Sequence, residues 1–157
     1  MDITFQVDGV AQLNRSFSRY NEQLRDIRGA LPQVKEAFYK GERKQFEQGM
    51  GRGKWAPLSP EYAGWKAKHY PGRKILELTG LLKATMLGGT SYLKWYAEPQ
   101  ELAVEVSVPY ALFHQRGTRR MPAREVIWLT EETKRDITLA FHRYAVSVLK
   151  GGEVGGL

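Results

Sequence analysis

Val10, Leu13, Phe17, Tyr20, Leu24, Ile27 and Leu31 recur at alternating steps of three and four residues, with Arg and Glu among them. That period lays one apolar stripe along a long helix, and such a stripe has to be buried against something. The same step continues through Val34 and Phe38, but Gly29 and Pro32 interrupt it. Proline lacks the N–H a helix needs and clashes with the preceding turn, so two helical segments are expected across 10–48 rather than one rod. The stripe reads as core or subunit contact.

The flanking segments have other periods. Ile3, Phe5 and Val7 alternate with polar residues, as in a short half-buried strand, and Asp8-Gly9 suits a turn. Residues 49–60 lie in "GMGRGKWAPLSP", a loop by its glycines and prolines and a candidate contact loop. Ser59 as cap and Pro60 at the first position start a short helix whose Tyr62, Trp65 and His69 share one face, with Pro71-Gly72 to end it. Residues 78–86 read as another short helix capped by Thr79. The segments 91–97 and 102–108 alternate, with Leu102, Val104, Val106 and Val108 on one face, and make a hairpin. A short helix over 110–115 and a longer one over 128–149, with Ile137, Phe141, Tyr144 and Val148 inward, complete an α/β body at 61–149. Residues 150–157 offer nothing to pack and read as a flexible tail. The expected fold class is α+β: a small antiparallel sheet packed with long N-terminal and C-terminal helices in one domain, 1–150.

The net charge of +7 is concentrated in the middle of the chain. Residues 43–124 carry fourteen basic and six acidic side chains, whereas 1–42 is balanced at six of each. Two runs without any acid stand out: Lys66, Lys68, Arg73 and Lys74, then Arg116, Arg119, Arg120 and Arg124. Interleaved with aromatics or glycine, they are candidate residues for facing DNA or an acidic protein, and a solvated basic face explains them equally well.

Chemistry has little material. There is no cysteine, hence no disulfide, thiolate or Cys-based zinc site, and cytoplasmic synthesis is expected. His69, His114 and His142 have no zinc spacing. The four aspartates, at 2, 8, 26 and 136, adjoin no other acid, so paired-carboxylate chemistry is not expected. Glu131 and Glu132 suit a helix start. "GMGRGKW" fails as a phosphate loop, because Gln48 replaces its first glycine and Trp55 follows Lys54 where Ser or Thr should stand. No catalytic residue, cofactor or metal is expected. No apolar run approaches the ~20 residues of a membrane span, and the start lacks the features of a signal peptide.

Three segments in order carry a resemblance: Trp55, Pro57, Leu58, Ser59 and Pro60; then Leu76, Thr79, Gly80 and Leu82; then Tyr110, Ala111, His114, Gln115, Gly117, Pro122, Ala123 and Arg124. The combination resembles the phage virion morphogenesis family, which includes the G-type protein of Mu-like phages and tail-completion proteins of contractile-tailed temperate phages. It covers residues 45–130; where family members continue Pro-Ala-Arg with Pro-Phe-Leu-Gly, this chain has Glu125-Val126-Ile127-Trp128. The resemblance implies a non-catalytic structural protein of the virion's head–tail junction, a neck or tail-completion component made in the host bacterium's cytoplasm. It further implies a homo-oligomeric ring, with six copies expected, neighbouring neck, tail or portal-proximal proteins as partners, and possible non-specific contact with packaged DNA, away from any membrane. The alternative is a basic nucleic-acid-binding protein without a virion role. Within this picture 108–124 is expected to form a rigid joint. Tyr110 and Phe113 would anchor it in the core, His114 and Gln115 would satisfy backbone groups, Gly117 would allow a reversal, Pro122 would stiffen the return, and the arginines would project.

Overall fold

In a computed structural model of the protein, residues 18, 21, 22 and 24–151 are described. The expected strand at 3–7, the stripe from Val10 to Tyr20 and most of the C-terminal tail lie outside them. Helix α1 spans Leu31–Gln48, α2 Pro60–His69, α3 Leu81–Met86, α4 Ala111–Arg116 and α5 Glu131–Gly151. Strands β1 (Leu93–Glu98) and β2 (Glu101–Val106) lie between α3 and α4. The fold is α+β with a small sheet.

The interruption expected at Gly29 and Pro32 is present. Helical residues 24–25 give way to a 3-10 turn at Arg28–Ala30, and α1 then starts with Pro32 in its first turn. Gly49, at φ 66° and ψ 40°, ends α1, its N–H reaching the Gln45 carbonyl. Helix α5 runs antiparallel along α1, as the ion pairs Lys40–Asp136 and Lys44–Glu132 record. Their close approach depends on Gly41, whose Cβ, if it had one, would lie 2.3 Å from Thr133 Oγ1. Thr133 is itself buried, its N–H bonded 3.1 Å to the Thr130 hydroxyl at the helix start, where Glu131 and Glu132 fill the first turn. The helix therefore begins at Glu131, three residues after the expected start at 128, because Thr130 caps it.

The hairpin closes more tightly than expected. Glu98 pairs with Glu101 around Pro99-Gln100, and Trp95 pairs with Val104. Leu93, Trp95, Ala97, Leu102, Ala103, Val104 and Val106 are the less exposed members of the sheet, while Tyr96 faces out and donates to Glu105 Oε2 at 2.7 Å. Trp95 is the junction of two apolar clusters. On one side it meets Phe38 edge to face at 5.3 Å, within a core holding Phe46, Trp55, Leu82, Met86, Val108 and Val126. On the other it joins Ala30, Val34 and Ala140 with Ile137, Phe141 and Tyr144.

Candidate functional site

The three segments of the motif series meet at one place. Residues from 57–62, 75–82 and 110–124 line a cavity of about 520 Å³, mostly apolar in its walls. Each segment is held by a specific device. Trp55 is buried against Phe46 at 5.4 Å and donates its indole N–H to the Glu125 carbonyl at 2.9 Å, which ties the 49–60 loop to the far segment. The Trp is thus an anchor, and Pro57 and Leu58 are carried from it into the cavity wall. Ser59 caps α2 as expected, its hydroxyl accepting from the Tyr62 N–H, with Pro60 following.

The second segment is strained. Leu76 has φ 63°, the left-handed region that costs a residue with a Cβ roughly 1–2 kcal/mol. Beyond it Gly80, at φ 87°, is the N-cap of α3; Thr79, expected in that role, sits one residue earlier and accepts from the Leu81 N–H at 3.3 Å. Glu77 is buried and pairs with Lys83 at 2.8 Å.

The third segment, the expected joint, departs from expectation in three ways. Tyr110 and Phe113 do not enter the core: they are 36% and 55% exposed, and Val108 and Ala111 fill that place instead, because α4 is rotated with Ala111 inward. The His114 ring makes no bond to a backbone group among the described residues, although the residue's carbonyl accepts the Arg124 N–H at 2.7 Å. Its Nδ1 is buried without a partner among the described residues, and burial, followed by the nearby Arg124 charge, holds its pKa below the usual value. Gln115 does what was expected of it. Its carbonyl accepts the Val126 and Ile127 N–H groups at 2.9 and 3.0 Å, and its amide donates to the Ile127 carbonyl at 3.0 Å. Gly117 has φ 72°, and an added Cβ would come 2.7 Å from the Ala123 nitrogen, so the reversal there admits only glycine. Pro122 follows on the returning arm, where Thr118 and Met121 bridge.

The third departure concerns the basic runs. Lys68, Arg73, Lys74, Arg116, Arg119 and Arg120 are exposed, and among the described residues none is in an ion pair. Lys66 and Arg124 are not on that face. They are 4% and 5% exposed, and both line the cavity. Arg124 donates from Nε to the Ala56 carbonyl at 2.8 Å and from Nη2 to the Pro57 carbonyl at 2.9 Å. Lys66 donates to the Lys74 carbonyl. Burial lowers the pKa of both, and in Lys66 the Arg124 and Arg73 charges add to the effect against Glu77.

Beside the cavity, α2 carries an exposed ladder of rings. Tyr62 and Trp65 stack with centroids 5.5 Å apart, and Trp65 and His69 at 4.9 Å, as their shared helix face predicted. Among the described residues no three His, Cys, Asp or Glu side chains form a group that could hold a metal ion, and no helix is long and apolar enough to cross a membrane. No model of a protein family, no curated protein and no solved structure matches this chain. What fold and site define is an α+β protein with a concavity that is mostly apolar and lined by two buried cations, Lys66 and Arg124, and one exposed one, Arg120.

Proposed function

We propose that the protein is a structural, non-catalytic component of a phage head–tail junction, a neck or tail-completion protein that works as a ring of copies, with six as the expected number. The observation that carries the reading is the convergence of all three segments of the family-like series on one cavity, although they lie far apart in sequence. Residues retained for an enzymatic role would bring together a nucleophile, a base and a charge stabiliser. Here Ser59 and Thr79 accept backbone N–H groups, two buried cations hold carbonyls, Glu77 pairs with Lys83, and among the described residues no hydroxyl of Ser59, Tyr62, Thr79 or Tyr110 is hydrogen-bonded to His114. Exposed Leu112 and Phe113 on α4, and Ile127 on the segment that Gln115 ties to it, supply apolar surface suited to a neighbouring subunit. Disruption of the gene in the strain that carries it, followed by electron microscopy of induced lysates, tests the role. Filled heads and tails accumulating unjoined is the expected result; normal particles overturn it.

A second reading, a nucleic-acid-binding protein without a virion role, is favoured by the Tyr62–Trp65–His69 ladder next to Lys68, since stacked rings with basic neighbours suit single strands. The same lysates separate the two, because that protein would leave particles intact.

A further inference from the structure

We propose that the cavity between the 57–62, 75–82 and 110–124 segments is a docking socket for an acidic, apolar segment of a partner protein, one that inserts a large apolar side chain next to a carboxylate. The proposal rests on the junction reading only for where that partner is found; the chemistry of the socket stands on its own observations.

The walls come first. Leu58, Ile75, Leu76, Leu78 and Met121 line a space of about 520 Å³, within the roughly 300–1,000 Å³ of sites that hold a ligand. Charge comes second. Lys66, Arg120 and Arg124 line the same space against one carboxylate, Glu77, and that carboxylate already binds Lys83. Lys66 and Arg124 are nearly inaccessible to solvent, and such cations ordinarily require partners. Among the described residues their hydrogen-bond partners are neutral carbonyls. Lys66 has one acceptor among the described residues for three N–H groups, and Arg124 has none for Nη1, the part of its side chain that still reaches solvent. His114 also lines the cavity, and its Nδ1 is left without a bond among the described residues. An incoming carboxylate would supply the missing acceptor.

The occupant is a polypeptide rather than nucleic acid or a small anion. Phosphate and sugar would leave the aliphatic walls uncovered, and although the Tyr62 and Tyr110 rings also line the space, Leu58, Ile75, Leu76, Leu78 and Met121 give bases nothing to stack on. Arg116 and Arg119, exposed and close in sequence to the lining Arg120, add positive charge that a small anion would leave unused and an acidic segment could meet.

The test is selection of a random twelve-residue peptide display library on the full chain, with counter-selection on Leu78→Asp. Leu78 is a partly exposed lining residue outside any helix or strand, so the variant is expected to keep the parent's circular dichroism and melting point. Arg120→Glu, at an exposed position, is the second variant. The expected peptides carry Leu, Ile, Phe or Met within three residues of Asp or Glu. They bind each variant at least about tenfold more weakly, and lose about tenfold when the acid becomes Gln or Asn. Peptides that bind both variants as tightly as the parent, enriched sequences without acids, or no enrichment at all overturn the proposal. So does displacement of the peptide by a labelled single-stranded DNA at equal concentration. If sedimentation shows that Leu78→Asp dissolves a self-assembly of the parent chain, the occupant is a second copy and the proposal fails. Normal particles in the disruption experiment would sink the junction role while leaving peptide binding untouched, so the two failures are told apart.

Discussion

At the scale of single residues, the informative positions are those that break a local rule. Leu76 holds a left-handed conformation that Gly adopts freely. Leu76→Ala loses side-chain packing and keeps the strain, whereas Leu76→Gly loses the packing and releases the strain. The glycine variant is therefore expected to melt no lower than the alanine variant, and up to about 1 kcal/mol more stable, reversing their usual order. Chemical denaturation of the pair checks this; a glycine variant less stable by the ordinary margin would refute it. Glu42 breaks a second rule. It sits buried on α1 with Gln45 Nε2 donating to Oε1 at 3.1 Å and nothing on Oε2 among the described residues, and burial pushes its pKa from 4.5 up to about 8 against that hydrogen bond. The folded state then holds a proton that the unfolded state releases between pH 4.5 and about 8, so stability falls as pH rises through that window. Glu42→Gln is expected to match the parent below pH 4.5 and to gain on it by at most about 1.4 kcal/mol per pH unit up to about 8, then to stay level. Melting curves of both proteins across that range decide it; a gap that does not widen with pH would count against a protonated Glu42. For His114, whose Nδ1 has no partner to orphan among the described residues, substitution by Ala acts through lost packing alone.

At the scale of elements, α1 and α5 meet where Gly41 faces Thr133. Gly41→Ala is expected to cost about 1–3 kcal/mol through overpacking, and Thr133→Ala in the same chain should restore part of it. Additive losses in that double-mutant cycle would show that the two helices do not meet there. Elements of this kind were largely legible in the sequence, because their signals are local. Ser59-Pro60 marked the start of α2, the alternation of Leu102, Val104 and Val106 marked β2, and Gly29 with Pro32 marked the break before α1. What escaped was set by residues distant in sequence. Arg124 read as one more exposed arginine because its acceptors, the carbonyls of Ala56 and Pro57, lie 68 and 67 residues away. Lys66 turned inward on α2 for a comparable reason, since the 75–82 segment folds over it. Phe113 was expected inside for its hydrophobicity, yet the small Ala111 occupies the face of α4 that the core accepts. Leu76 gave no signal, for a left-handed site is ordinarily announced by Gly or Asn. The cavity itself was legible only as a set of residues, not as a place.

At the scale of the whole molecule, charge and open surface pull in opposite directions. Copies arranged in a ring would bring their basic middles together, fourteen basic against six acidic residues in 43–124, and a polyanion or an acidic neighbour would have to compensate them. The exposed Leu112, Phe113 and Ile127 favour association in the same region. If the proposed ring forms, Phe113→Asp is expected to abolish its assembly with little loss of stability, since more than half of the side chain is already in solvent. The arginine cluster then tells DNA from protein. Replacing Arg116, Arg119 and Arg120 together with Gln leaves the fold unchanged, because all three are exposed and unpaired among the described residues. If they meet phosphates, duplex binding weakens, and the slope of log affinity against log salt flattens by about 0.9 for each phosphate that is no longer neutralised. If they meet an acidic protein face instead, DNA binding stays as it was while heads and tails fail to join. A triple variant that binds DNA and joins particles like the parent would leave these arginines as a solvated face, and the basic middle would then have no part in assembly.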